Sequence, residues 1–227
     1  RGVMPWSEPE IRAVRDLGLE NDYVFSIAWH SSRSGRLSEK VYNPWRWNGD
    51  KKTPDNISIK GIGDQIAELI FKENSTDTYQ SLYGQSRNGK AHDWFYHATG
   101  CFQYLIECGT SNLQPDSALV EDTINRLMPA MLFLMDRTIG YNADASQITG
   151  IVTDGGTGIP LEDAIITIDE LFGGVQKPRK SDEFGRYRRI VEPGTYSVRY
   201  EKSGYYPLNF LVTANPSSPT TQNVTLV

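Results

Sequence analysis

The sequence predicts an α/β domain over residues 1–142, built on part of a doubly wound mixed sheet with helices, and a small all-β sandwich over residues 145–227. Three observations carry this. Residues 23–29 and 101–107 are short apolar runs, each leading to a lone polar group, His30 and Glu107. Stretches of helical period flank them. Beyond Tyr141-Asn142-Ala143-Asp144, short strands separated by glycine-bearing turns replace the helical pattern, which marks a boundary near residue 145.

The elements follow in order. Ser7 with Glu10 three residues on has the spacing of a capping box, and Ile11, Val14 and Leu17 share one helical face until Gly18. Residues 23–29 then form the strand that ends at His30-Ser31-Ser32. The loop Tyr42-Asn43-Pro44-Trp45-Arg46-Trp47 reads as an aromatic rim. A short helix is expected over 64–72 with Ile66, Leu69 and Ile70 inward, before a turn at 74–77. In the strand at 101–107, Phe102, Tyr104 and Ile106 take one face and Gln103, Leu105 and Glu107 the other. Asp116 or Ser117 caps a long helix that runs to about Thr138 and stops at Gly140. Its apolar positions are Val120, Ile124, Leu127, Met131, Leu134 and Met135, and Pro129 interrupts its backbone bonding. Short strands follow at 148–153, 164–169, 187–191, 195–201 and 210–213.

Composition narrows the function classes. The 227 residues are 38% hydrophobic and 11% aromatic, enough for packed cores. A net charge of −5 argues against a nucleic-acid partner, because binding phosphates needs a basic face. No apolar run approaches the roughly 18 residues of a membrane span. Lys177, Arg179, Lys180, Arg186, Arg188 and Arg189 form a basic hairpin, but from residue 145 onward eight Lys and Arg face nine Asp and Glu. The run reads as a solvated face. Cys101 and Cys108 flank one strand and lie roughly 23 Å apart at about 3.3 Å per residue, too far for a disulfide.

Glu107 is the only charge in its strand, and such a carboxylate is costly to desolvate unless paired, hydrated or used. Two readings stand: a structural carboxylate bonded to a neighbouring loop, or a group that does chemistry with His30 at the ends of two strands.

The order strand-His30-Ser31, Tyr42-x-Pro44, Tyr83, Gly89-x-x-x-Asp93-Trp94 and strand-Glu107 resembles the second half of a zinc metallocarboxypeptidase domain. Ile148-Thr149-Gly150-Ile151-Val152, Asp182-x-x-Gly185-x-Tyr187, Pro193-Gly194-Thr195-Tyr196 and Gly204-Tyr205 resemble the transthyretin-like regulatory domain that follows that domain in many members. The resemblance implies a zinc cofactor with His30 as one ligand, Glu107 as general base, and a peptide substrate trimmed from its carboxyl end. It also implies Tyr83 closing over the substrate's last residue and Ser31 lining the cleft. Tyr83 stands about two residues further from Asp93 than the family pattern. Lys90 and His92, just before Asp93-Trp94, fall where the terminal side chain is received and would favour a negatively charged one; alternatively Lys90 points to solvent.

The sequence also departs from the family in its metal ligands. Positions three residues after His30, His92 and His97 are Arg33, Phe95 and Gly100, so no His-x-x-Glu pair exists among its three histidines. A catalytic zinc needs three protein ligands. The chain is therefore expected to be the carboxy-terminal portion of a longer protein, partnered by a missing amino-terminal half and inactive by itself, with a secreted or periplasmic location. The alternative is a non-catalytic peptidase-like scaffold that binds a peptide or partner.

Overall fold

The computed structural model describes residues 3–31, 38–46, 51–84, 90–109, 115–141 and 145–227. Gly89, Trp47 and the expected boundary at 142–144 lie outside the described residues.

Among the described residues of the first part stand four helices and four strands: α1 (Pro9–Glu20), β1 (Phe25–His30), β2 (Lys40–Tyr42), α2 (Asn56–Glu68), β3 (Gln80–Leu82), α3 (Ala91–Thr99), β4 (Phe102–Glu107) and α4 (Ser117–Ile139). The strands form one mixed sheet in the order β1-β4-β2-β3. β1 and β4 run parallel, β2 lies antiparallel to β4, and β3 runs parallel to β2. Phe102, Tyr104 and Ile106 are buried, as alternation requires, and the Tyr104 hydroxyl donates to the Ile59 carbonyl of α2 at 3.0 Å.

Two helices differ from their sequence reading. In α1 the capping box does not form: Glu8 is the N-cap, Pro9 opens the helix, and the Ser7 hydroxyl donates to the Glu8 carboxylate at 2.8 Å. Gly18, expected to end α1, is its buried residue instead, because a Cβ there would stand 2.5 Å from the Phe95 ring of α3. Ile11, Val14 and Leu17 are about half exposed, at 47%, 52% and 53%. In α2 the helix begins eight residues earlier than expected, directly after Pro54-Asp55, and buries Ile59, Ile62 and Ile66. The Lys60-Gly61-Ile62-Gly63 stretch disguises it, since glycine weakens helical propensity.

Gly63 has a packing reason: a Cβ at this position would stand 1.9 Å from Asn43 Oδ1. The Asn43 amide is itself buried and donates to the Ser81 hydroxyl at 2.9 Å, so it cannot swing aside freely. Gly63→Ala is expected to destabilise the chain by about 1–3 kcal/mol, the usual cost of overpacking, read as a lower denaturant midpoint. An unchanged midpoint would show that Asn43 yields.

α4 starts and stops where the sequence places it. The Asp116 carboxylate accepts the Leu119 N–H at 3.0 Å, and Gly140 closes the helix with φ +77°. Only part of its apolar stripe is buried, at Leu127, Ala130 and Leu134, while Ile124 and Met135 are more than half exposed.

The second part contains β5 (Gln147–Asp154), β6 (Ile165–Ile168), β7 (Arg179–Lys180), β8 (Arg186–Ile190), β9 (Gly194–Glu201), β10 (Leu208–Ala214), β11 (Pro219–Thr221) and β12 (Val224–Leu226). One sheet runs β10-β9-β6-β7; the other runs β11-β5-β12 with β8 on β5. Ile148, Val152, Ile166, Val198, Tyr200, Val212 and Leu226 fill the core between them. Within this core the Tyr187 and Tyr200 hydroxyls meet at 2.7 Å, which satisfies two polar groups without a charge.

The basic hairpin is not uniformly solvated. Arg179 and Arg189 are buried, at 4% and 6% exposure, and both reach into the first part of the chain. The Arg189 guanidinium donates to the buried Asp55 carboxylate at 3.0 and 3.1 Å and to Gln176 at 2.7 Å. Asp55 also accepts the Tyr96 hydroxyl of α3 at 2.7 Å. His97 completes the seam, its Nδ1 donating to the Val175 carbonyl while its ring stacks on Trp45. Strand alternation sends Arg189 inward, and total charge cannot reveal that.

Candidate active site

β1 and β4 bring residues 77 positions apart into one row, with register running from Phe25 opposite Phe102 to His30 opposite Glu107. Both strands end on the same side because they are parallel. Alternation places His30 and Glu107 on the face opposite Phe102, Tyr104 and Ile106. His30 Nδ1 stands 3.2 Å from Glu107 Oε1, with the imidazole 54% exposed and the carboxylate 17% exposed. The Cys108 N–H donates to the His30 carbonyl at 2.9 Å and fixes the two strand ends together. On the other side β2 sets Lys40 opposite Glu107. The arrangement offers a shielded carboxylate that can hold a proton and an open imidazole that can take a ligand. Ser31 follows His30 and is exposed.

The other candidate residues gather elsewhere. Tyr83 follows β3, which runs antiparallel to β4, so it lies toward the opposite end of the sheet from Glu107. Its hydroxyl donates to Asn56 Oδ1 at 2.8 Å, at the start of α2, and burial pushes the phenol up to about 12. Arg46 holds the same corner, donating from Nη1 to the Tyr83 and Gly84 carbonyls at 3.3 and 3.4 Å. Arg46 and Asn56 escaped the sequence reading because nothing local pairs a rim arginine or a helix-start asparagine with residue 83. Lys90 caps α3, and a Cβ on Gly84 would stand 3.4 Å from its Nζ.

His92 and Asp93 open α3 side by side, His92 Nε2 lying 3.7 Å from Asp93 Oδ1, both buried. Burial lowers His92 to about 4, with the Lys90 charge acting the same way. Burial raises Asp93 to about 6, opposed by Lys90 and by the Arg46 backbone N–H. His92 is therefore neutral near pH 7, which leaves Lys90 and Arg46 as the cations of this corner.

The two shifts have opposite consequences for stability. Between its ordinary 3.8 and about 6, Asp93 holds more proton in the folded chain than in the unfolded one, so its contribution falls as pH rises. Between about 4 and 6.5, His92 is protonated more readily in the unfolded chain, so its contribution falls as pH drops. The pair is expected to give a nearly flat profile from about pH 4 to 6. His92→Gln should then lose stability as pH rises through that window, and Asp93→Asn as pH falls through it. Denaturant midpoints across pH read this directly; parallel profiles for both variants and the parent would contradict it.

A catalytic zinc requires three protein donors. Among the described residues no group of three or more His, Cys, Asp and Glu side chains is placed to hold a metal ion. Of the three histidines, His92 faces Asp93 and His97 is bonded to Val175, which leaves His30 as the one imidazole at the strand ends. The described residues do not by themselves complete a zinc site.

Comparison with known proteins decides the lineage. Residues 1–128 match the family model described as zinc carboxypeptidase, and residues 147–227 match the carboxypeptidase regulatory-like domain. The chain belongs to the zinc carboxypeptidase family. It is 30% identical to the carboxypeptidase N catalytic chain of Rattus norvegicus over 232 residues, covering 94% of this chain and 47% of that protein. It is 27% identical to carboxypeptidase D of Rattus norvegicus over 240 residues, covering 92% of this chain and 16% of that protein. The chain thus spans about half the length of the first relative and much less of the second. Membership gives the chain a carboxypeptidase-like character and implies zinc. No helix among the described residues is long and apolar enough to cross a membrane.

Proposed function

We propose that this chain supplies the general base and one metal ligand of a zinc carboxypeptidase that removes single residues from peptide carboxyl ends. The observation that supports it most is the His30–Glu107 pair, side by side at 3.2 Å where two parallel strands end. In this reading Glu107 takes a proton from the attacking water and returns it to the departing amine as the C–N bond breaks and a carboxylate forms. Zinc, when bound, supplies a Lewis acid and an activated water. His30 contributes one of its ligands, and Ser31 lines the cleft beside it.

The remaining ligands come from outside the described residues, on a partner segment or chain that adds to the free edge of β1. Two features support that placement. Among the described residues β1 ends the strand order, and an open edge exposes unpaired backbone groups. Exposed apolar side chains on α1 and α4, among them Val14, Leu17, Ile124 and Met135, form faces suited to burial. The complete protein is expected to release C-terminal residues in a zinc-dependent manner. A complete, folded protein that binds peptide but holds no zinc and turns nothing over would favour the scaffold reading instead.

For specificity, Lys90 is proposed to favour a negatively charged terminal side chain, with neutral His92 shaping the pocket wall beside it and Tyr83 leaving its bond to Asn56 to swing toward Glu107 and close over the bound residue. Cleavage of otherwise identical peptides ending in Glu, Leu and Lys tests this. The Glu peptide is expected to have the highest kcat/KM, and Lys90→Ala to lower it by about two- to fivefold, the usual worth of a solvent-accessible charge contact. Preference for Leu or Lys would contradict it.

A further inference from the structure

The Arg179 side chain comes from the sandwich yet binds the peptidase part almost exclusively through backbone carbonyls. Its Nη1 donates to the Tyr23 carbonyl at 3.0 Å and the Thr99 carbonyl at 2.8 Å, and Nη2 donates to the Asp22 carbonyl at 2.9 Å. Asp22 and Tyr23 lead into β1, and Thr99 is the last residue of α3, three residues before β4 begins. These are the lead-ins of the two parallel strands that end in His30 and Glu107. The Phe102 N–H donates to the Val24 carbonyl at 3.0 Å, the first backbone bond between the two strands beyond the guanidinium.

The surroundings fit a built clamp rather than a chance contact. Gly100, with φ +75°, caps α3, and a Cβ there would stand 3.0 Å from the Arg179 side chain and 3.1 Å from Gln176. A glycine therefore satisfies both the left-handed backbone and the close approach of the arginine. The planar fork of arginine suits this task, because several fixed N–H groups can hold carbonyls from separate segments at once, which a lysine cannot reproduce.

We infer that Arg179 is a positioning residue: from the sandwich it sets the pairing register of β1 and β4, and so the juxtaposition of His30 and Glu107 about 20 Å away along the strands. A one-residue slip of β1 against β4 would turn His30 to the opposite face and dissolve the pair. The regulatory-like domain is then part of the site's framework. The catalytic consequence of this inference rests on the function proposed above; the structural one does not.

Hydrogen exchange on the full chain, compared for the parent, Arg179→Met and Arg179→Lys, tests it. Arg179→Met is expected to raise exchange at the Phe102 and Cys108 amides by at least about tenfold, while amides of β9 and β10 keep their protection. Arg179→Lys should restore part of it, since an ammonium can still reach one or two carbonyls. Val212→Ala, a cavity in the sandwich core, serves as reference and should raise exchange in β9 and β10 without selectively loosening Phe102 and Cys108. Uniform acceleration in Arg179→Met, or protected Phe102 and Cys108 amides, would overturn the inference. In the complete enzyme, Arg179→Met should lower kcat more than it raises KM. Loosened β1–β4 amides in a protein without peptidase activity would refute the proposed function and leave the clamp standing.

Discussion

Glu107→Gln in the complete, zinc-loaded protein is expected to lower kcat by about 10²–10⁴-fold, the usual contribution of a positioned general base. KM and zinc content should change little. The amide is isosteric with the carboxylate and can stay beside His30, but it cannot accept a proton from water or return one to an amine. Glu107→Asp keeps the proton-accepting chemistry and withdraws it by one methylene, so an intermediate loss is expected, because geometry limits proton transfer as strongly as basicity does. If Glu107 were a structural carboxylate, the Gln variant would lose stability and keep its kcat. Measuring kcat and thermal midpoint on the same preparations separates the two readings left open by the sequence.

The largest stability effect is expected at the seam between the two parts of the chain. Asp55 is fully shielded as a side chain and Arg189 is 6% exposed, and they meet at 3.0 Å. Arg189→Met would leave a buried carboxylate with only the Tyr96 hydroxyl as a side-chain donor from this cluster. Breaking a buried pair by removing one partner costs about 3–5 kcal/mol, because the remaining charge stays desolvated and uncompensated. Replacing both, as Asp55→Leu with Arg189→Met, should recover a large part of that loss, since an apolar pair carries no desolvation penalty. Denaturant unfolding of the two single variants and the double variant measures the coupling. Additive losses would show that the two groups do not act as a pair. The single variant should also disturb α3 through Tyr96, and His92 and Asp93 lie in the first turn of that helix.

The parts of the site that were legible share a simple cause. An apolar strand that ends on one polar residue announces both its direction and the position of that residue at the sheet's end, so His30 and Glu107 could be placed before their pairing was seen. Alternation also gave the faces of residues 102–107, because period two leaves no freedom once one face is buried. α4 was readable from its caps, Asp116 and Gly140. The misreadings arise where tertiary packing overrides local pattern. Gly18 looked like a helix end and Gly63 fell just outside the expected helix; both are instead places where a helix comes close to a neighbour, which only the neighbour explains. The apolar stripe of α1 faces outward, although its spacing matches that of a core face.

Long-range polar contacts were the least legible. Arg179 and Arg189 belong to a basic run whose overall charge is balanced, and charge counting places them in solvent. Their carbonyl and carboxylate partners lie more than 70 residues away in the chain. The same limit hid Arg46 and Asn56 as the supports of Tyr83, whose polar partners are set by the order of β2 and β3 rather than by any motif.

Zinc stoichiometry in the complete protein and in its His30→Ala variant tests the central claim most directly. About one zinc per polypeptide in the parent, and a loss of most of it in His30→Ala with the fold intact by circular dichroism, is the expected result. A variant that keeps a full equivalent of zinc would contradict it, since the ion would then be held without the histidine that stands beside Glu107.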